Sequence, residues 1–327
     1  MKKLLIAVLA ISFAATSQIG GATTNRAIAP NDLLQILPDG NGVVLLDIKR
    51  VTSSGLWATI SSHDPIKSAL NKAQIETSEI GVKLSDLSSL ATVLPASGAQ
   101  NAVVAVTGTF SKGDLLSRLR ADQKVRLTTE TYKNNEIHKI VRVAAAKPEG
   151  KARSEEVAFS FSDDFTVLLG SVIGVRSAID VRVGEKASAA QNQRLTSALA
   201  ECPAGAAQFA ILLTRSMTGA IQSSNLPLPD FSTLTMAFGA VDFTDAIDLN
   251  VTLRSDTPEH SKAIADQLNG LLGMVKGLLG TGAGDPRREA VAAAAKALTI
   301  ANVGADVKIS GNLSAELLDQ VLGHKRS

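Results

Sequence analysis

Residues 231–280 decide the fold of the C-terminal part of this chain: FSTLTMAFGAVDFTDAIDLNVTLRSDTPEHSKAIADQLNGLLGMVKGLLG. Apolar side chains occupy every second position at 234–240 and again at 247–253. That period of two predicts two strands, because successive side chains of a strand point to opposite faces. The second stretch alternates apolar with polar residues, which is typical of an antiparallel sheet covered on one side.

A long amphipathic helix follows the two strands. Asp256 or Thr257 can accept a hydrogen bond from the first helical turn, and Pro258 fits that turn. Asp256 with Glu259 has the spacing of a capping box. Apolar residues then recur at spacings of three and four and predict one stripe: Ile264, Leu268, Leu271, Val275 and Leu278.

Glycines recur on the same helix at helical spacing, at positions 270, 273, 277 and 280. An interior glycine costs about 1 kcal/mol of helix stability relative to alanine. Either these glycines admit a neighbouring element or mark a frayed end, or the segment faces a membrane or a partner, since Gly273 and Gly277 form a small-xxx-small pattern. Lys276 interrupts an apolar run that is shorter than the roughly 20 residues of a membrane span. We therefore expect no transmembrane span.

The first 22 residues have the composition of a secretory signal peptide. Lys2 and Lys3 precede an apolar core at 4–15, and small residues follow, with cleavage expected after Ser17 or Ala22. Residues 23–30 are small and polar and predict a disordered lead-in. We therefore expect an exported protein, either periplasmic or extracellular.

The composition argues against several classes of function. The chain has 33 basic and 31 acidic residues, and Lys2 and Lys3 account for the difference. A balanced mature chain gives no electrostatic case for binding nucleic acid or an anionic membrane. One Trp and one Tyr are few for stacking on bases. Cys202 is the only cysteine, so no internal disulfide can form, and we expect it to be a small buried side chain.

The rest of the chain alternates strand and helix signals. Ser85, Ser111 and Ser171 each occupy the N-cap position of a predicted helix, and the helix after Ser85 would bury Leu87, Leu90 and Val93. Further helices are predicted at 32–37, 64–73, 188–200, 287–298 and 314–322. Strands are predicted at 43–48, 101–110, 125–132, 136–143, 157–161, 165–169, 207–213 and 305–309.

Two patterns recur and indicate a duplication. The order strand, strand, capped helix occurs at 157–183 and at 231–280. A glycine followed three residues later by serine and then by an acidic-Leu-Leu helix occurs at 108–116 and at 311–318. We therefore predict an α+β fold of two related units, 31–183 and 184–327, each a mainly antiparallel sheet covered on one face by helices.

In this arrangement the chain resembles a family of uncharacterised exported bacterial proteins with repeated α+β units. The residues that carry the resemblance are Leu37-Pro38-Asp39-Gly40-Asn41, the strand–helix joint at 165–179 and the hairpin at 234–253. The resemblance covers most of the mature chain and rests on structural motifs. It implies no activity and no site residues.

Catalytic motifs are not found in the sequence. It contains no Gly-x-Ser-x-Gly, Ser-x-x-Lys, His-Glu-x-x-His or Cys-x-x-Cys. The glycine-rich loop at 280–285 fits neither nucleotide template, because Asp285 stands where a third glycine is needed and no Gly-Lys-Ser follows. We therefore expect no metal and no cofactor.

Acidic and histidine residues offer the remaining candidates for chemistry. Asp163 with Asp164, and Asp242 with Asp245, fall in predicted turns, where aspartate commonly serves turn geometry rather than calcium. His63 with Asp64, and Glu136 with His138, could each orient an imidazole, but we expect these residues to be solvated.

Two functions remain in view. The first is an exported, non-catalytic protein that binds an unknown protein or an apolar ligand, with a candidate contact surface on the long helix: Leu268, Leu271, Leu272, Val275 and Leu278. Core packing is the alternative role of these residues. The second function is a periplasmic or secreted hydrolase whose site assembles from residues distant in sequence.

Overall fold

The structure, a computed structural model, describes residues 29–62, 84–96, 98–109, 111–123, 125–142, 156–222, 229–280 and 286–323. The predicted signal peptide and most of the lead-in lie outside the described residues. So do the helix predicted at 64–73, the pair His63 and Asp64, and residues 281–285 of the glycine-rich loop.

The chain divides into two compact units. It passes from the first unit to the second after Thr52, returns, and passes again to the second after Gln193. Residues 53–62 therefore belong to the second unit although they precede most of the first. A single boundary at residue 184, as the sequence predicts, leaves this early segment in the first unit.

The first unit holds seven strands and three α-helices among its described residues. In chain order these are β1 (Gly42–Asp47), α1 (Ile48–Thr52), β2 (Leu87–Leu94), β3 (Val103–Gly108), α3 (Lys112–Ala121), β4 (Val125–Tyr132), β5 (Asn135–Arg142), β6 (Glu156–Phe161), β7 (Thr166–Gly170) and α4 (Val172–Arg182); α2 (Leu56–Ser62) is in the second unit. The strands pair in the order β1-β2-β3-β7-β6-β5-β4, and every pair between them is antiparallel.

This sheet carries a helix on each face. Phe159 pairs across the ladder with His138, and it packs against the leucines of α3. Glu130 pairs with Ile137, the neighbour of His138, so it lies on the opposite face. There Glu130 accepts a hydrogen bond from Arg176 of α4 at 2.7 Å. Helices therefore lie on both faces of this sheet, and the prediction that they cover one face is wrong for this unit.

The helix predicted after Ser85 is also wrong. Residues 87–94 form β2, which lies between β1 and β3 and is mostly buried on both faces. Leu87, Leu90 and Val93 follow each other at a spacing of three, which a short strand buried on both sides satisfies as well as a helix does. Pairing with β1 and β3 supplies the backbone hydrogen bonds of this segment, and it favours the strand over the helix.

The second unit holds five strands among its described residues. After α2 come α5 (Gln193–Glu201), which starts at the unit boundary, β8 (Ala207–Leu212), α6 (Arg215–Gln222), β9 (Leu234–Phe243), β10 (Ala246–Ser255), α7 (Pro258–Gly280), α8 (Pro286–Ala297), β11 (Leu298–Val303), β12 (Asp306–Ser314) and α9 (Ala315–Gly323). The strands pair antiparallel in the order β11-β12-β10-β9-β8. The predicted hairpin and its helix are confirmed, whereas β11 was not predicted.

Asp180, on α4, fastens the turn between β4 and β5. In that turn Lys133 has φ of 47° and Asn134 has φ of 61°, as a two-residue hairpin turn requires. The Asp180 carboxylate accepts hydrogen bonds from Tyr132 Oη at 2.8 Å and Lys133 Nζ at 2.6 Å, and Lys186 Nζ lies 3.0 Å away. Burial would raise the pKa of Asp180, but these three donors outweigh it and lower the pKa to about 2.

We expect Asp180→Asn to lower the free energy of unfolding by about 1–3 kcal/mol at pH 7, because Tyr132, Lys133 and Lys186 lose the charge of a buried acceptor. The Asp180 pKa is lowered in the folded state, so its contribution is complete above the unfolded pKa of 3.8 and is lost as pH falls towards 2. Urea unfolding at pH 7 and at pH 3 measures this. Glu185→Gln is the control, since exposed Glu185 also pairs with Lys133; equal losses in both variants would contradict the account.

Candidate contact surface on helix α7

Thr257 caps the N-terminus of α7. Its Oγ1 accepts a hydrogen bond from the amide of His260 at 3.3 Å. The predicted capping box does not form, because the Asp256 amide donates to the carbonyl of Thr233. The Asp256 carboxylate instead binds His260 Nδ1 at 2.7 Å, and that hydrogen bond lowers the pKa of Asp256.

The N-terminal half of α7 covers the core of the second unit. Ile264 and Ala265 are 3% and 2% exposed and pack with Phe231, Leu234 and Val307. Leu268 packs against the same cluster, so its role is core packing.

Buried Ser261 fixes this half of α7 to the turn after β11. Its Oγ donates to the carbonyl of Gly304 at 2.7 Å and accepts from Asn302 Nδ2 at 2.6 Å. Both sides of the serine hydroxyl are therefore satisfied in a position where an unpaired hydroxyl would be costly.

The C-terminal half of α7 lies beyond this cluster, and α8 packs against α7. Leu271 and Leu272 are half-buried, Val275 is 40% exposed and Met274 is 60% exposed. The side chain of Leu278 lies outside the description. We call residues 270–277 the distal segment; Lys276 is its only charged residue. The apolar stripe predicted from the sequence thus continues beyond the core that its first half covers.

The glycines of the distal segment face open space. A Cβ atom built on Gly270, Gly273 or Gly277 would meet no heavy atom within 4 Å outside the helix's own nearby backbone. They are at i, i+3 and i+7, so they form one ribbon along the helix, which we call the glycine ribbon. Close approach of a neighbouring element among the described residues does not explain them. No helix in the described part of the chain is long and apolar enough to cross a membrane.

Three of the polar candidates, Asp163, Asp242 and Cys202, make hydrogen bonds to the backbone. Asp163 Oδ1 accepts from the amide of Phe165 at 2.8 Å, and Asp242 Oδ1 accepts from the amide of Ala206 at 3.1 Å. The Cys202 thiol is half-buried and donates to the carbonyl of Ala198; burial and the neighbouring Glu201 carboxylate raise its pKa to about 11. Within the described ranges, His, Cys, Asp and Glu do not come together in a group of three that could hold a metal.

His138 departs from the prediction of a solvated residue. It is 2% exposed, whereas Glu136 is 55% exposed. Alternation along β5 could have placed His138 on the same face as Ile140, which packs against α3. The sequence carried this signal in the apolar neighbours, but a hairpin at the sheet edge gave no reason to expect burial.

A groove of about 520 Å³ lies between α2 and α9 in the second unit. It is lined by Ala58, Thr59, Ala315, Glu316 and Asp319. These five residues supply two carboxylates and one hydroxyl but no imidazole or amine to activate the hydroxyl.

Comparisons with known proteins give distant structural neighbours. No family model matches the chain, and no curated protein is similar to it. Crystal form I of TP0453 has a TM-score of 0.47 and 12% identity, with 90% of this chain and 97% of that chain covered. Crystal form IV of TP0453 gives 0.43 and 10%, covering 89% and 96%. These structural likenesses are too distant to assign a family or a function to this chain. The family resemblance inferred from the sequence therefore stays a prediction.

We expect Gly273→Ala to raise the free energy of unfolding by up to about 1 kcal/mol, because the added methyl group meets open space and favours the helix. Gly174→Ala is the matched comparison on α4, where a Cβ would overlap the carbonyl oxygen of Ala102. That variant should lose about 1–3 kcal/mol. Urea unfolding of both variants measures the difference, and destabilisation by Gly273→Ala would show that the glycine ribbon is packed.

Proposed function

We propose that this protein is an exported, non-catalytic interaction protein and that the distal segment of α7 binds an apolar helix of a partner protein. The observation that carries the proposal is the exposure of Met274 and Val275 on a segment with one charge. A helix that is apolar all round is ordinarily buried. Contiguous exposed apolar surface of this kind marks interaction sites.

The glycine ribbon favours a protein helix over lipid as the partner. Three interior glycines cost about 1 kcal/mol each relative to alanine, and a Cβ at each of them would meet no described atom within 4 Å outside the helix's own nearby backbone. Small residues at this spacing let two helix backbones approach closely. Lipid chains adapt to any apolar surface and have no need of a glycine ribbon. Lys276 at its side would favour a partner with an acidic group nearby.

Export is supported by the N-terminal sequence. The basic pair at Lys2 and Lys3, the apolar core at 4–15 and the small residues after it fit a signal peptide.

Relatedness of the two units belongs to the same proposal. In the first unit β3, which precedes α3, pairs with β7, which precedes α4. In the second unit β10, which precedes α7, pairs with β12, which precedes α9. The number of strands between differs, so a common ancestor would require insertion or loss of a hairpin.

A photo-crosslinking side chain in place of Met274 tests the contact. We expect a discrete protein adduct in the cells that produce the protein. Ala263, exposed on the core-packed half of the same helix, is the matched control position and should give no such adduct.

Adding Gly273→Leu should lower the adduct yield about tenfold, which corresponds to 1.4 kcal/mol of binding free energy. Equal adducts at both positions, adducts with lipid alone, or the absence of adducts at position 274 would each overturn the proposal. Purified protein mixed with liposomes separates lipid contact from protein contact.

A further inference from the structure

His138 is buried on β5, on the face of the first unit's sheet that α3 covers. Its ring centroid is 4.9 Å from that of Phe159 and 6.4 Å from that of Phe161, both on β6. On β4, Thr129 Oγ1 lies 2.9 Å from His138 Nδ1. The Nε2 atom is buried and makes no hydrogen bond with the described residues. The imidazole Nδ1 thus has a hydrogen-bond partner, whereas Nε2 has none among the described residues.

The unsatisfied nitrogen points to an ion pair that joins β5 to α3. Glu136 Oε2 is 3.1 Å from Lys112 Nζ and 3.8 Å from His138 Nε2. The Lys112 ammonium also lies 5.5 Å from the centroid of the Phe161 ring. Glu136 Oε2 therefore lies between Lys112, with which it forms an ion pair, and His138. It forms no ion pair with His138 while the imidazole is neutral.

We propose that this cluster is an acid-sensitive latch: protonation of His138 draws the Glu136 carboxylate from Lys112 to Nε2 and releases the N-terminal end of α3 from β5. The proton comes from solvent, and no covalent bond changes. The imidazolium has two N–H donors, one facing Thr129 Oγ1 and the other facing Glu136 Oε2. The Lys112–Glu136 pair is exposed, and exposed ion pairs are weak, so it can yield.

The charged groups around His138 set the pH range. Burial lowers its pKa, Glu136 on the same strand raises it, and Lys112 and Arg120 on α3 lower it. The strands beside it contribute the Thr129 hydroxyl and two phenylalanine rings, none of which is charged at neutral pH. The folded pKa lies below the unfolded value of about 6.5, so the folded state binds fewer protons. Stability is therefore complete above about pH 6.5 and falls as the pH drops below it.

Hydrogen–deuterium exchange of α3 in the full mature protein tests the latch. After correction for intrinsic exchange, we expect its amides to open about threefold more at pH 5.0 than at pH 7.5, the scale on which loss of an exposed ion pair acts. His138→Gln should abolish that increase. His260→Gln, which removes an exposed histidine in the second unit, should retain it.

Lys112→Met keeps the test decisive if His138→Gln does not fold. This variant has no ion pair to release, so α3 should open at pH 7.5 as the unchanged protein does at pH 5.0. A pH dependence that is the same with and without His138, or no pH dependence in the unchanged protein, would overturn the proposal. Protection of the α3 amides at pH 7.5 that is as strong in Lys112→Met as in the unchanged protein would overturn it as well.

Discussion

Covering the apolar face of β10 and β12 is the requirement on which the second unit depends. The sheet buries Val307 completely, and it does so because Ile264, Ala265 and Leu268 of α7 lie over it. Removing such surface from water is the main favourable contribution to folding. The stripe on α7 is longer than this cover requires, and Val275 on the same stripe is exposed. One helix thus combines a half that packs on the sheet with a half on which Met274 and Val275 are exposed.

Much of the fold could be predicted because the decisive chemistry is local. Ser111 and Ser171 cap the helices that they were expected to cap, accepting from the amides of Asp114 at 3.2 Å and Gly174 at 2.9 Å. The alternation at 234–253 gave the hairpin, in which Leu249 pairs with Val241. Caps and alternation are set by residues within one turn or one strand, so they survive without knowledge of the rest of the chain.

The remaining features depend on partners far away in sequence. The spacing of Leu87 and Leu90 suits a helix and a buried strand alike, and only pairing with β1 and β3 decides. His138 is buried because α3 and β6 close over it, which its neighbours in sequence do not show. The candidate contact surface stays a prediction. Periodicity placed Leu268 and Val275 on one stripe but could not show that Leu268 packs against the core cluster whereas Val275 is 40% exposed.

Residue-resolved hydrogen–deuterium exchange along α7 in the isolated protein tests the central claim most directly. Amides over a packed core exchange slowly, whereas helical segments with few buried contacts open readily. The account predicts slow exchange at residues 261–268 and fast exchange at residues 273–280, with a transition near Gly270. Uniform slow exchange through both halves would show that the distal segment is packed within the protein, and would contradict its role as a contact surface.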